Sequence, residues 1–358
     1  MSTSLPVNLH EYEPLARASM SPMAWDYLAG GGGDERTLAW NRERLDATRL
    51  YPRVLHDVSE VDMRLSLLGV DLPFPVLLAP TGVQRLFHAE GEIATARGAG
   101  SAGALYILST AATTTIEDIA AVASGPLWFQ MYVQRDRGFT LELVRRAEAA
   151  GCRALMFTVD TPVLGARDRE YRNQLELPPG LEPANLRGLP GQVPGAPTFV
   201  HGTHNPFLDP SLTWDVLPWL VRETKLPVIV KGVLRADDAV RALERGAAAI
   251  AVSNHGGRNL DTVPATIDVL PRIVAAVAGR VPVLFDGGVR RGVDVVKALA
   301  LGATAVMIGR PYLWGLGAAG ADGVARVIRL LAGELEMAMA QCGAASLAEV
   351  TRDLVYDE

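Results

Sequence analysis

Between Ser253 and Asp261 the chain reads Ser-Asn-His-Gly-Gly-Arg-Asn-Leu-Asp, directly after the apolar run Ala249-Ile250-Ala251-Val252. A buried strand that ends in this way sets a titratable base, His255, beside a fixed cation, Arg258. Ser253 and His255 are two residues apart and so share a face of the strand. The glycines that follow remove side-chain bulk and let a ligand approach the backbone. Arg258 offers a planar fork suited to a carboxylate or phosphate. A strand-end turn with a solvated arginine and a satisfied histidine is the alternative, and the rest of the chain bears on the choice.

Polar residues close the other apolar runs in the same manner. They are Thr81, Ser109, Gln130 with Tyr132, Thr158 with Asp160, Lys231, Asp286 with Arg290, and Arg310. Asp286-Gly287-Gly288-Val289-Arg290 and Gly309-Arg310-Pro311 combine glycines with arginines at the ends of the last two runs. Loops at these two places commonly hold phosphate through backbone N–H groups. Lys231 follows Val228-Ile229-Val230 and reads either as a Schiff-base nucleophile or as a fixed charge. With a phosphate site and a histidine base nearby, the charge role suits a flavin, whose reduced ring is anionic.

The elements that must position these groups are eight apolar runs: 75–80, 104–110, 127–132, 154–160, 227–232, 249–255, 282–288 and 305–311. Helical patterns lie between them, such as 141–150, 236–245 and 293–301. Apolar runs alternating with helices predict parallel strands covered on both faces. Eight such units predict an α/β fold closed as a (β/α)8 TIM barrel, and a doubly wound open sheet is the alternative. Gly151, Gly246 and Gly302 each stand at a helix end just ahead of a strand. The expected organisation is one domain over 1–358, with an N-terminal helical segment to about residue 70. Leu9, Tyr12, Leu15 and Ala16 are expected on the buried face of its first helix. Gly30–Gly33 follows a helix and lacks a preceding strand, so it reads as a flexible helix-ending turn, not a phosphate loop. The Pro/Gly-rich stretch 178–210 after the fourth strand reads as a flexible lid over the C-terminal face. His201 and His204 within it lack a third ligand, so no metal site is expected.

Bulk properties narrow the field further. The 358 residues are 49% hydrophobic and 21% charged, a globular composition. A net charge of −6 with no basic block argues against a nucleic-acid partner. Two cysteines without metal spacing, no membrane-length apolar run and no leader pattern predict a cytoplasmic protein.

Taken together, Ser253–Asp261, Asp286–Gly292, Phe129-Gln130-Met131-Tyr132 and Thr158-Val159-Asp160-Thr161-Pro162 resemble the FMN-dependent 2-hydroxy acid oxidases and dehydrogenases. That family includes glycolate oxidase, lactate oxidase and mandelate dehydrogenase, and the likeness covers nearly the whole chain. The resemblance implies FMN held by Thr81, Gly82, Ser109, Gln130, Thr158, Lys231, Ser253 and Asp286, with Gly288, Arg290, Gly309 and Arg310 at its phosphate. It implies His255 as the base, oriented by Asp160, with Arg167 and Arg258 clamping the substrate carboxylate and Tyr27 and Tyr132 bonding the substrate. It further implies a homotetramer or homo-octamer.

Two positions depart from the family pattern. Gly82 stands where the family has alanine, beside the reactive face of the flavin, and bears on oxygen reactivity. Ala111 stands where glycolate-type members carry tryptophan. The space left there, with Val83 and Leu86 as expected apolar walls, implies L-lactate or a larger (S)-2-hydroxy acid as substrate. O2 is the expected acceptor, since no haem-binding domain is attached and 178–210 lacks the apolar surface of a membrane-bound dehydrogenase; a dehydrogenase of the same family using a quinone or other acceptor is the alternative. Hydride transfer and carbanion formation use the same base and are not separated by sequence. An FMN-barrel isomerase of a diphosphate substrate and a non-catalytic flavin scaffold are the other readings; the paired arginines and the complete residue set argue against them.

Overall fold

Alternation with a period of two inside each apolar run sorts its side chains onto the two sides of a sheet. A computed structural model of the chain, describing residues 5–173, 175–190 and 208–356, has that sheet closed on itself. The N-terminal part comprises α1 (Tyr12–Ser19), α2 (Pro22–Ala29), α3 (Arg36–Ala47) and the hairpin β1 (Leu65–Leu67) and β2 (Val70–Leu72). The barrel then runs β3 (Val76–Leu78), α4 (Gly91–Ser101), β4 (Tyr106–Ser109), α5 (Ile116–Val122), β5 (Leu127–Met131), α6 (Arg137–Ala149), β6 (Leu155–Thr158), α7 (Asp168–Arg172) and α8 (Val216–Glu223). It continues with β7 (Val228–Val233), α9 (Ala236–Glu244), β8 (Ala249–Val252), α10 (Thr266–Val277), β9 (Val283–Phe285), α11 (Gly292–Ala300), β10 (Ala305–Ile308) and α12 (Arg310–Gln341). Each of the eight expected runs contains one barrel strand. All pair in parallel in the order β10-β3-β4-β5-β6-β7-β8-β9, which is the (β/α)8 barrel and not the open sheet.

Inward positions carry Leu77, Ile107, Trp128, Met156, Ile229, Ala251, Leu284 and Met307, which pack as one buried cluster. Leu67, Val70 and Leu72 of the hairpin join that cluster and plug the barrel at the end where the strands begin. Outward positions such as Leu78, Leu108, Phe129, Phe157, Val230, Val252 and Phe285 pack with the helices in a second, larger cluster. One inward step beyond the apolar filling, the rows reach Ser109, Gln130, Thr158, Lys231, Ser253 and Asp286. The polar ring is therefore the continuation of the inner rows at the C-terminal mouth. Gly151, Gly246 and Gly302 take φ of 82°, 93° and 98° between helix and strand, as expected of residues that end a helix.

The N-terminal segment differs from the sequence expectation in three respects. The helical stretch divides, because Ser21 is extended ahead of Pro22 and its hydroxyl caps α2. Leu9, Tyr12 and Ala16 are buried, but Leu15 is 47% exposed, on the outer side of α1. The hairpin was not anticipated; its strands are three residues each, too short for a periodic signal, and it turns at Leu68-Gly69 with φ of 49° and 76°.

Gly30–Gly33 does end α2, yet it is a packed seam and not a flexible turn. Gly30, Gly31 and Gly32 are buried. Gly32 N–H donates to the Gly257 carbonyl at 2.8 Å, and Gly33 N–H donates to the Ala166 carbonyl at 2.8 Å. A Cβ on Gly32 would lie 2.3 Å from the Asn259 carbonyl oxygen, so no larger residue fits this backbone-to-backbone approach. The stretch after β6 is also more anchored than expected over its described part. Ala184, Leu186 and Leu189 are buried, and Asn185 accepts from the Ile116 N–H at 3.0 Å. Residues 191–207, with His201 and His204, lie outside the described residues. Among the described residues no helix is long and apolar enough to cross a membrane.

The seam yields a stability test. Gly32→Ala is expected to cost about 1–3 kcal/mol through overpacking, read as a lower denaturation midpoint at unchanged slope. Gly333→Ala, in open space on α12, is expected to leave stability equal or slightly raised.

Candidate active site

The mouth of the barrel encloses a cavity of about 220 Å³. Its walls include Tyr27, Thr81, Gly82, Ser109, Ala111, Gln130, Tyr132, Thr158, Arg167, Lys231, His255, Arg258, Asp286, Gly288, Arg290, Gly309 and Arg310. Of the polar and glycine site residues that the sequence singled out, Asp160 and Ser253 stand behind the wall. Each acts through a neighbour that lines it.

Asp160 Oδ1 lies 2.9 Å from His255 Nδ1. This contact leaves Nε2 as the ring nitrogen for proton exchange on the cavity side. Asp160 can approach because Gly232, at a bulge after Lys231, offers no Cβ; one there would lie 2.5 Å from the Asp160 Cβ. His255 adopts φ of 57°, a left-handed conformation that costs a side chain about 1–3 kcal/mol. Its N–H is fixed by Ser253 Oγ at 3.1 Å, and Ser253 Oγ accepts from Lys231 Nζ at 2.8 Å. Burial pushes the His255 pKa below its ordinary value; Asp160 opposes that shift, while Lys231 and Arg167 add to it. Burial pushes Asp160 upward, but the charge and hydrogen bond of His255, with Lys231 and Thr161, hold its carboxyl below the usual range. The pair is thus poised as a neutral imidazole with a carboxylate behind it.

Arg167 and Arg258 meet beside this pair. Arg167 donates Nε to the Arg258 carbonyl at 3.0 Å, and Arg258 donates Nη1 to the carbonyls of Tyr27 at 2.6 Å and Gly30 at 2.9 Å. Both also bond Glu170. The Arg258 guanidinium also hydrogen-bonds the Tyr27 side chain; with these partners counted, each guanidinium still has N–H capacity beside the cavity for an anionic ligand. The Tyr27 ring stacks under Arg258, whose Cζ is 4.9 Å from the ring centroid.

At the opposite end Lys231 pairs with Asp286 at 3.3 Å, both buried, and Asp286 Oδ1 is buried with no partner. Gln130 accepts from Ser109 Oγ at 3.1 Å and donates to Thr158 Oγ1 at 3.0 Å, a fixed polar rail. Arg290 rests over Trp314 and pairs with no carboxylate among the described residues. Burial, with Arg42 nearby, lowers its pKa to about 10. Arg310 lines the cavity and also donates to the carbonyls of Leu28, Gly256 and Gly30 at 3.0, 2.9 and 2.8 Å. It thereby ties the end of α2 to the His255 turn. The two glycines differ. A Cβ on Gly288 would strike the Asn41 carbonyl at 2.6 Å, so this glycine serves packing on α3, whereas one on Gly309 would meet only Thr81 Cγ2, at 3.9 Å.

The chain matches the model of the FMN-dependent dehydrogenase family over residues 16–357. It is 50% identical to L-lactate oxidase of Nostoc sp. over 99% of both chains, and 45% identical to glycolate oxidase of Spinacia oleracea over 96% of this chain and 94% of that one. A mandelate oxidase solved with 3,3-difluoro-2-hydroxy-3-phenylpropionic acid superposes with a TM-score of 0.89 at 43% identity, covering 97% of this chain and 98% of that one. The chain belongs to the FMN-dependent dehydrogenase family. Its cofactor is FMN, and it is an oxidoreductase; the isomerase and scaffold readings fall with that assignment.

The cavity suits the cofactor on its own chemistry. It offers a polar rail, a buried lysine, an orphaned carboxylate oxygen and a half-buried arginine that pairs with no carboxylate among the described residues. Sequence reasoning missed four supports. Glu170 sits between the two arginines. Asn41 and Asn254 form a reciprocal amide pair at 3.0 and 2.8 Å that ties α3 to the His255 turn. Asn259 Nδ2 donates to both the Asp160 carbonyl and Thr161 Oγ1 at 2.8 Å. Glu92, fully buried, accepts from the N–H groups of Gln84 and Thr113 and so joins the loops after β3 and β4. None has a motif; each is recognisable only by burial and partners.

The pH dependence follows from the His255 surroundings. A base must be neutral to act, and the His255 pKa lies below its ordinary ~6.5. kcat/KM should therefore rise with pH below that value and be level through neutrality. Asp160→Asn removes the group that raises this pKa, so the acid limb should move lower still while kcat/KM falls ~10²–10⁴-fold. Profiles from about pH 5 to about pH 9 check both; an acid limb that moves upward in the variant contradicts the assignment.

Proposed function

We propose that this enzyme oxidises an (S)-2-hydroxy acid bearing a side chain, L-lactate or larger, to the 2-oxo acid, with O2 as acceptor and H2O2 as the second product. The observation that supports the reading most is that unspent donors of Arg167 and Arg258 and the proton-accepting face of His255 border one cavity. Its relatives include an L-lactate oxidase and a glycolate oxidase, so the reaction class has their support and the side-chain preference rests on the pocket.

In this reading the arginines bind the carboxylate and orient the α-carbon, which supplies much of the rate through positioning. His255 Nε2 takes a proton from the substrate, and Asp160 stabilises the imidazolium that results. Tyr132 and Tyr27 bond the substrate oxygens; burial, with Asp160 nearby, holds the Tyr132 hydroxyl protonated and able to donate. FMN, when bound, would supply the two-electron acceptor chemistry that links the substrate to oxygen. Thr81, Gly82, Ser109, Gln130, Thr158, Lys231, Ser253 and Asp286 would hold its ring and ribityl chain, and Gly288, Arg290, Gly309 and Arg310 would border its phosphate. Lys231 would favour the anionic reduced ring.

Side-chain preference rests on Ala111. Its walls differ from the sequence expectation: Val83 and Leu86 do not line the cavity, whereas Phe87, Leu164, Leu186 and Leu208 do. Gly82 and Ala111 are also one feature. A Cβ on Gly82 would lie 2.9 Å from the Ala111 Cβ, so the bare Cα of Gly82 admits the methyl of Ala111.

Two measurements test the reading. Each buried methylene is worth ~0.8 kcal/mol, so L-lactate, 2-hydroxyoctanoate or mandelate should exceed glycolate in kcat/KM by ~10–200-fold. Ala111→Trp should narrow or reverse that order, and glycolate as the best wild-type substrate would refute the open pocket. For the acceptor, the yellow protein is reduced with its best substrate and reoxidised in air; reoxidation slower than turnover with an artificial acceptor would make it a dehydrogenase.

A further inference from the structure

Glu170 is a buried carboxylate to which neither motif nor proton transfer assigns a role. Its side chain is 3% exposed, and a single oxygen, Oε1, accepts from Arg167 Nη1 at 3.2 Å and from Arg258 Nη2 at 3.1 Å. Two guanidinium groups in a buried pocket repel each other, and each retains several freely directed N–H groups. A carboxylate shared between them offsets the repulsion and fixes one edge of each plane. With that edge held, with backbone carbonyls of Arg258, Tyr27 and Gly30 taking further donors, and with the Tyr27 side chain bonding Arg258, few N–H groups of either guanidinium remain for a ligand.

Glu170 is itself well anchored. It lies on α7, which Arg169 ties to Glu35 at 2.6 Å and to Asp26 at 3.8 Å. Asn173 Nδ2 on the same turn donates to Asp26 Oδ2 at 2.5 Å. Asp26 belongs to α2, the helix that carries Tyr27. The carboxylate is therefore held in register with both arginines and the tyrosine beneath Arg258.

We propose that Glu170 is a positioning residue for substrate: it aims Arg167 and Arg258 so that their remaining donors converge on one carboxylate. The proposal rests on the reading of those arginines as a carboxylate clamp. It predicts a loss in ground-state binding larger than the loss in turnover, because proton transfer at His255 is left intact.

The test uses FMN-loaded protein, with the best substrate of the panel above and the corresponding 2-oxo acid as a non-reacting carboxylate. Binding of the 2-oxo acid is followed by the change in flavin absorbance, alongside kcat and KM. Glu170→Ala is expected to weaken 2-oxo acid binding and raise KM at least about tenfold, with kcat reduced by less than about threefold. Glu170→Gln keeps an oxygen acceptor at the same reach and is expected to recover most of the loss. Should the alanine variant fail to fold, Glu170→Asp, which retracts the acceptor by one methylene, is expected to raise KM on its own. An alanine variant that binds as well as or better than wild type, a Gln variant no better than Ala, or an unchanged KM in the Asp variant would overturn the proposal. A wild-type protein that turns over none of the panel and binds no 2-oxo acid would instead refute the hydroxy acid reading, before Glu170 is reached.

Discussion

The backbone hydrogen bond from Gly32 N–H to the Gly257 carbonyl is the contact on which the substrate side of this enzyme depends. Around it two chain segments far apart in sequence lie backbone to backbone, with no side chain between them. Arg258 and Arg310 close the seam from either side by donating to the carbonyls at the end of α2. Those carbonyls are the negative end of a helix, where cations are favoured. The seam thereby fixes three things together: the left-handed His255 turn, the aim of Arg258 and the place of Tyr27. The helical N-terminal segment is one wall of the active site, and the barrel alone would leave the mouth open.

Charge is divided between the two ends of the cavity. At the substrate end Arg167 and Arg258 face one internal carboxylate, Glu170, so the pair keeps a surplus of positive charge suited to an acid. At the end proposed for the cofactor Lys231 is balanced by Asp286, while Arg290 is half-buried and pairs with no carboxylate among the described residues. His255 lies between the two, and the cations on both sides add to burial in favouring its neutral imidazole. The same field that would attract an anion therefore favours the form a base needs, and Asp160 limits how far that shift goes.

The substrate preference proposed above rests on a smaller balance. Gly82 and Ala111 come from successive strand-end loops and lie so close that a Cβ on Gly82 would meet the Ala111 methyl, so the pair together sets the cavity volume there. Glu92 joins the same two loops from below, through the N–H groups of Gln84 and Thr113. Leu186, from the stretch after β6, completes the apolar wall. The segment read from sequence as a loose flap thus contributes a packed side to the pocket.

Most of the barrel and of its polar mouth was legible in the sequence, because both follow from a local rule. Side chains two apart on a strand share a face, so an apolar row ending in Ser109, Gln130, Thr158, Lys231 or Ser253 announces an inward polar residue at the C-terminal end. Family motifs then assigned roles to residues already picked out by spacing. What the sequence left undetermined were contacts between segments with no common period. Gly30–Gly33 read as loose because glycine is permissive in isolation; its tight packing is set by Gly257 and Asn259, more than two hundred residues away. Arg310 read as a phosphate ligand from its position, but three of its N–H groups also go to carbonyls whose convergence no local pattern encodes. Glu170 and Glu92 belong to no motif, and a carboxylate shows its function only through the partners that bury it. Local chain geometry determined which residues face the mouth of the barrel; only the tertiary fold decided which of their hydrogen bonds were already spent, and so which remained for a ligand.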